Sequence, residues 1–174
     1  ILPLMMRAKK SFPEYQFVIA GAPSQEESFY QQVCPEEKLP IIFNDTYGLF
    51  GAAVAGFVTS GTATLEAALH HMPQVVCYKS SVISYTIAKK LVDIKYISLV
   101  NLIMDEEVVV ELIQKELNVN NLMHEMKAIL PGGNKRDEQL SSYQELKKKL
   151  GGSGASERTA QSLLKNLQER KSAH

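Results

Sequence analysis

The sequence predicts an α/β fold, a Rossmann-like parallel sheet with helices on both faces, followed by C-terminal helices. Strand-like and helix-like stretches alternate over the first half of the chain. The strand-like stretches Tyr15 to Ala20, Pro40 to Phe43, Ala53 to Val58 and Gln74 to Tyr78 are continuous apolar runs rather than alternating ones. That is the pattern of strands covered on both sides. A Ser60-Gly61-Thr62 turn joins one of these runs to a helix, at the carboxyl end of a strand, where open parallel sheets bind ligands.

The elements follow in order. Residues 2 to 11 read as a helix closed before Phe12-Pro13, and the strand Tyr15 to Ala20 ends in the turn Gly21-Ala22-Pro23-Ser24. Ser24 is placed to cap a helix over Gln25 to Val33, with Glu26 and Glu27 favourable to its dipole. Pro40 to Phe43 is a short strand, Asn44-Asp45-Thr46 a turn and cap, and Tyr47 to Ala52 a short helix leading into Ala53 to Val58. The helix opened by Ser60-Gly61-Thr62 carries Leu65, Ala68, Leu69 and Met72 at helical spacing. Gln74 to Tyr78 is the next strand and Ser84 to Val92 the next helix. Ile97 to Leu102 is expected as a last short strand, then helices over Glu106 to Gln114 and Val119 to Leu130, the latter stopped by Pro131-Gly132-Gly133. Lys135 to Leu150 carries a narrow stripe of Leu140, Tyr143, Leu146 and Leu150. A break at Gly151-Gly152-Ser153-Gly154 precedes a final helix, Ser156 to Arg170.

The turn at residues 60–62 is the richest stretch chemically. The first N–H groups of a helix have no partner within it, and with the helix dipole they form an anion site suited to phosphate. Gly61 lets backbone approach a ligand, and Glu66 stands one turn beyond Thr62 on the same helix face. A carboxylate there suits hydroxyls such as those of a ribose. The same residues also fit a plain helix cap. With Ser60 as the cap, however, the reciprocal acid of a capping box falls at Ala63, so Glu66 is not accounted for by capping. Asn101, between apolar neighbours, fits either a turn residue or a polar reader of a ligand.

Composition narrows the function classes. The 174 residues suit one domain, or one with an appendage. Lys plus Arg and Asp plus Glu both number 19, so no nucleic-acid partner held by bulk charge is expected. Cys34 and Cys77 have no metal or redox spacing and are expected as buried free thiols. The dinucleotide fingerprint and the Walker A loop are missing and the four His have no ligand spacing, so neither a cofactor nor a metal is expected. No apolar run reaches the ~18–20 residues that span a bilayer, and no signal peptide is expected. The chain starts at Ile1 inside an amphipathic pattern without a cap, which is expected of a piece of a longer protein.

Several blocks in order resemble the lipid-A-disaccharide synthase family. They are Phe17-Val18-Ile19-Ala20-Gly21-Ala22-Pro23, the run from Thr59 to Ala68, Val75 to Lys79, Ala88 to Val92, and Tyr96-Ile97-Ser98-Leu99-Val100-Asn101-Leu102. The stretch Gly154 to Arg158 resembles members of the family as well. The resemblance implies the donor-nucleotide half of a GT-B glycosyltransferase, two Rossmann-like domains flanking a cleft. Its reaction is inverting and needs no protein-bound metal: 2,3-diacylglucosamine passes from its UDP derivative to 2,3-diacylglucosamine 1-phosphate, giving a β-1,6-linked disaccharide, a precursor of lipid A. The implied location is cytoplasmic, peripheral on the inner face of a Gram-negative inner membrane. By the match of motifs, Ser60, Gly61 and Thr62 are implied to cradle the diphosphate, Glu66 to meet the ribose and Asn101 to contact the donor. The general base is implied to belong to the other half, so no catalytic residue is expected here. Residues 1–130 are then the UDP-sugar-binding domain, and 131–174 helices that pack on the other half or on a partner chain, a second copy included. Val100 stands where the family usually has Pro, and Asp105-Glu106 where many members have Gly-Arg. A related UDP-sugar enzyme, such as another GT-B transferase or a UDP-N-acetylglucosamine 2-epimerase, shares the sheet, the helix terminus and the ribose acid. A non-catalytic UDP-binding module is the third reading.

Overall fold

The computed structural model describes residues 1–35, 38–80, 95–151, 154 and 159–164. In chain order its elements are α1 (Leu2–Lys9), β1 (Ile19–Gly21), α2 (Glu27–Val33), β2 (Ile41–Phe43), α3 (Thr46–Ala52), β3 (Gly56–Thr59), α4 (Thr62–Leu69), β4 (Gln74–Tyr78), α5 (Leu99–Met104), β5 (Glu111–Ile113), α6 (Val119–Ile129) and α7 (Arg136–Leu150). The strands form two sheets, β1-β2 and β3-β4-β5. Every pairing is parallel, with Ile19 opposite Ile41, Val58 opposite Val76 and Cys77 opposite Leu112.

Strand β4 explains the layering. Gln74, Val75, Val76 and Cys77 are all buried, and successive side chains of a strand point to opposite faces. Val75 and Cys77 pack with Ala8 and Phe12 near α1 and with Leu122, Met126 and Ile129 of α6. Val76 packs on the other side with Ala68 of α4, Val100 of α5, and Tyr143 and Leu146 of α7. Two apolar layers on one strand account for the unbroken run Gln74 to Tyr78, and they give the α/β architecture that the sequence predicts.

Three strands or helices are shorter than expected because the connections take residues. β1 pairs only with the three residues of β2, so residues 15–18 have no ladder partner there and Val18 is half-exposed. Ala53 closes α3, and β3 begins only at Gly56. Ser24 does not cap α2: the Gln25 N–H turns back to the Ala22 carbonyl, and the helix starts at Glu27 with no side-chain cap. Asp45 does cap α3, its Oδ1 accepting from Gly48 N at 3.1 Å. Gly21 ends β1 against the ring of Phe43, where a Cβ would collide with it.

Two expectations are exchanged with each other. Ile97 to Leu102 is not a strand: Ser98 caps α5, its hydroxyl accepting from the Asn101 N–H. Glu106 to Gln114 is not a helix: Val110 and Glu111 join the ladder beside Val76, and β5 follows. The β-branched run Val108-Val109-Val110 suits extended backbone better than helix, and burial of Val109 and Leu112 between layers decides it.

The helix after residue 131 is well packed. α7 packs on this chain's own layers, with Tyr143 and Leu146 fully buried beside α4 and α5. Its narrow apolar stripe is wide enough because Gln139 fills the next turn with hydrogen bonds instead of apolar surface. Of the final helix, residues 159–164 are helical, with Leu163 and Leu164 exposed; the rest of Ser156 to Arg170, the helix Ser84 to Val92, and Gly152-Ser153 lie outside the described residues. Cys77 is buried, whereas Cys34 is only partly so, and the two are not joined in a disulfide. Among the described residues no helix is long and apolar enough to cross a membrane.

Leu146→Ala is expected to cost about 2–5 kcal/mol, as buried Leu truncations do, and Leu163→Ala less than about 0.5 kcal/mol; urea unfolding of the two variants measures both. Burial pushes the Cys77 thiol from its ordinary 9.0 up to about 12, and burial raises the Tyr143 phenol too, against a smaller opposing effect of Gln74. Both are acids that the fold holds protonated. Their contribution is whole below the unfolded pKa values and is lost as pH climbs toward the folded ones. Urea midpoints are therefore expected to fall between pH 8.5 and 11, and Cys77→Ser is expected to flatten part of that fall.

Candidate functional site

The carboxyl end of β3 feeds the turn. Thr59 pairs with Cys77, and Ser60 extends the ladder by one residue, its N–H donating to the Cys77 carbonyl at 3.1 Å. Gly61 then turns the chain with φ 156° and ψ −164°, a region essentially reserved for glycine. No described atom lies within 4 Å of where its Cβ would stand. Glycine is demanded by the backbone angle, and the space in front of it is open.

Gly61, not Ser60, is the N-cap of α4. Its carbonyl accepts from Thr64 twice, from the N–H at 3.2 Å and the hydroxyl at 2.8 Å. Thr64 is buried, and its own carbonyl accepts from Gln74 Nε2 at 2.8 Å. The turn is held from beneath by this column. The N–H groups of Gly61, Thr62 and Ala63 make no hydrogen bond among the described residues, as the first donors of a helix do not. They meet the positive end of the helix dipole on the exposed side, where Gly61 and Thr62 lie. Such a terminus takes an anion. Glu66 is one turn on and partly exposed. Ser60, Gly61, Thr62 and Glu66 thus fall together at the start of α4.

The Asn101 side chain is engaged elsewhere. It is fully buried, and its amide is used up within the chain. Nδ2 donates to the Val109 carbonyl at 2.8 Å and to Glu111 Oε1 at 2.9 Å. Oδ1 accepts from the N–H groups of Val108 and Val109, both at 2.9 Å. An amide has two donor hydrogens and two acceptor lone pairs, and all four are engaged. Asn101 therefore shapes the loop that returns from α5 to β5.

Glu111 is the residue the sequence pattern hides, because it lies in a stretch read as helix. Its Oε2 accepts from Ile97 N at 2.9 Å and its Oε1 from Ser98 N at 2.8 Å. The one available signal is a lone acid inside the apolar run Val108 to Ile113. Asp105 adopts the left-handed conformation glycine favours, φ 60°. Lys95 Nζ donates to both its carbonyl and its carboxylate, at 3.1 and 3.2 Å.

The family described as lipid-A-disaccharide synthetase matches residues 1–166. The chain belongs to that family. Curated relatives named lipid-A-disaccharide synthase include those of Syntrophus aciditrophicus (strain SB), 35% identical over 92% of this chain and 44% of the relative, and of Sulfurihydrogenibium sp. (strain YO3AOP1), 33% identical over 98% and 48%. Another, from Actinobacillus pleuropneumoniae serotype 5b (strain L20), is 42% identical over 66% of this chain and 30% of the relative. The chain spans about half the length of the synthases it matches over most of its length.

Gly61→Ala is expected to destabilise the chain by about 1–3 kcal/mol even though a methyl group has room, because the cost is in the backbone angle. Gly51→Ala, in a helix with open space at its Cβ, is expected to be neutral or stabilising by up to about 1 kcal/mol. Chemical unfolding of the pair separates the two effects.

Proposed function

We propose that this chain is the donor-nucleotide half of a lipid-A-disaccharide synthase. The unpaired N–H groups at the start of α4, behind a glycine turn and one helical turn before Glu66, support this most directly. The diphosphate of a UDP-sugar would lie against Gly61, Thr62 and Ala63, with the Ser60 hydroxyl beside it. Glu66 would accept from the ribose hydroxyls. Asn101 would act at one remove, by fixing the loop behind the turn. As the glycosidic carbon leaves the diphosphate, negative charge grows on the leaving oxygen, and preoriented N–H donors favour that state over the bound substrate.

The donor would be UDP-2,3-diacylglucosamine and the acceptor 2,3-diacylglucosamine 1-phosphate, with inversion at the anomeric carbon. The base that takes the acceptor's hydroxyl proton would come from the remainder of a protein as long as the relatives. That protein would work at the cytoplasmic face of the inner membrane, as a peripheral enzyme. The exposed Leu163 and Leu164 would meet that remainder or a second copy of the chain.

Calorimetry with UDP tests the nucleotide half-site. Saturable binding is expected, with Glu66→Ala weakening it about tenfold, the loss of one or two hydrogen bonds to a charged group. The 2′-deoxy nucleotide is expected to bind wild type more weakly than UDP, and the two nucleotides to bind Glu66→Ala alike. Equal affinities of wild type and variant for UDP would remove Glu66 from the ribose, and no UDP binding to the chain would count against a preformed half-site.

A further inference from the structure

We propose that Glu111 is a positioning residue for the anion-binding turn, acting on Ser60 through Ile97. It rests on the turn being the diphosphate cradle, and it adds a residue that touches no part of that cradle.

The connection is continuous. Ser60 lies between β3 and the N-cap of α4, and its hydroxyl donates to the Ile97 carbonyl at 3.2 Å. The N–H of the same residue, Ile97, donates to Glu111 Oε2 at 2.9 Å. The next N–H, Ser98, donates to Glu111 Oε1 at 2.8 Å, and Asn101 Nδ2 donates to that oxygen at 2.9 Å. Glu111 itself is fixed by β5, opposite the fully buried Val76 of β4. One carboxylate on the rigid sheet therefore holds two consecutive backbone N–H groups of the 95–98 loop, and the carbonyl between those two N–H groups holds the side chain that starts the turn.

The residue type follows from the donors. Three N–H groups converge on one side chain, and only an acceptor-only group satisfies them all. A glutamine of the same shape sets its NH₂ against at least one of them. If it keeps both bonds to the Oε1 position, the bond it loses is the one to Ile97. Hydrogen bonds to an ionised acceptor are roughly twice as strong as neutral ones, so the 95–98 loop is held more firmly than a neutral contact would hold it. The helix-terminal donors of α4 are useful only when aimed; the ladder bond from the Ser60 N–H to the Cys77 carbonyl holds the backbone on that side and this tie holds the Ser60 side chain, while Thr64 holds the other side.

The test uses the 174-residue chain, with Glu111→Gln, Ser60→Ala and the double variant. Amide chemical shifts without ligand read the position of the turn independently of any nucleotide. Glu111→Gln is expected to move the Gly61, Thr62 and Ala63 amides, though none contacts residue 111, and to leave those of α6 in place. UDP titration is expected to show about a five- to tenfold loss for Glu111→Gln, the size of one hydrogen-bond tie, and a double variant no weaker than the weaker single one, because both changes cut the same chain of bonds. Unmoved amides at 61–63, or losses that multiply in the double variant, would overturn the proposal. Should Glu111→Gln fail to fold, Ser60→Ala reads the tie from its other end: the Ile97 and Ser98 amides move if the tie exists and stay if it does not. If wild type binds no UDP, the ligand-free shifts alone decide for or against Glu111, and only the nucleotide reading falls.

Discussion

Gln74 enters the core at the first position of β4, where neither its backbone nor its amide can reach water. A buried polar group without partners costs about 1–3 kcal/mol, and the surrounding helices supply partners to its N–H, carbonyl and Nε2, leaving Oε1 alone unpaired. Gln139 of α7 accepts from its N–H at 2.8 Å and donates to its carbonyl at 3.3 Å. The Gln74 amide donates to the Thr64 carbonyl at 2.8 Å and to the Tyr143 hydroxyl at 3.3 Å. One side chain thus fixes the base of α4 and the face of α7 together. This is why α7 belongs with the sheet although its apolar stripe is narrow: the stripe is completed by an amide pair that recognises a strand edge.

The same column explains why the site is open on one side and satisfied on the other. Thr64 receives Gln74 from below and uses its own N–H and hydroxyl on the Gly61 carbonyl. On the core side of the turn the Gly61 and Thr64 carbonyls each have a donor. The turn's own unsatisfied groups, the N–H groups of Gly61, Thr62 and Ala63, lie on its outer side. A buried polar network is usually argued as a matter of stability, and here it also decides which polarity the surface presents.

Much of the fold was legible in the sequence. Continuous apolar runs marked the parallel strands, and Ser60-Gly61-Thr62 before an amphipathic helix marked the turn into α4, because a strand–turn–helix junction announces itself through local residue choice. The failures share one cause. Ile97 to Leu102 and Val108 to Ile113 are both short and apolar, and short apolar runs do not distinguish helix from strand by period. What separates them is non-local. Ser98 caps one by turning its hydroxyl to the Asn101 N–H, and the open edge of β4 recruits the other. Once those two were exchanged, Asn101 and Glu111 could not be placed: an Asn at the end of a strand faces a ligand, while an Asn in the first turn of a buried helix faces the next loop. Glu111 had no periodic signature, since its partners are backbone N–H groups 13 and 14 residues away.

The charge at the site is a question of aim more than of ions. Lys95, the cation nearest the α5 cap in sequence, is engaged by Asp105 across an exposed contact of 3.2 Å, and such pairs contribute little to stability and hold a side chain loosely. The partial charge of a helix terminus is about half an elementary charge and fades within a turn. A diphosphate bound there would gain from three N–H groups only if each lies within hydrogen-bonding distance and direction, so an error in the turn of a few tenths of an ångström would cost more than the loss of a distant lysine. Glycine at 61 gives the turn its shape, Thr64 anchors its carbonyl, and the Glu111–Ile97–Ser60 tie restrains the side that neither of them reaches. With restraint from both sides, the donors would need no rearrangement as charge built on a leaving group, and that is the condition under which backbone N–H groups do the work of a cation.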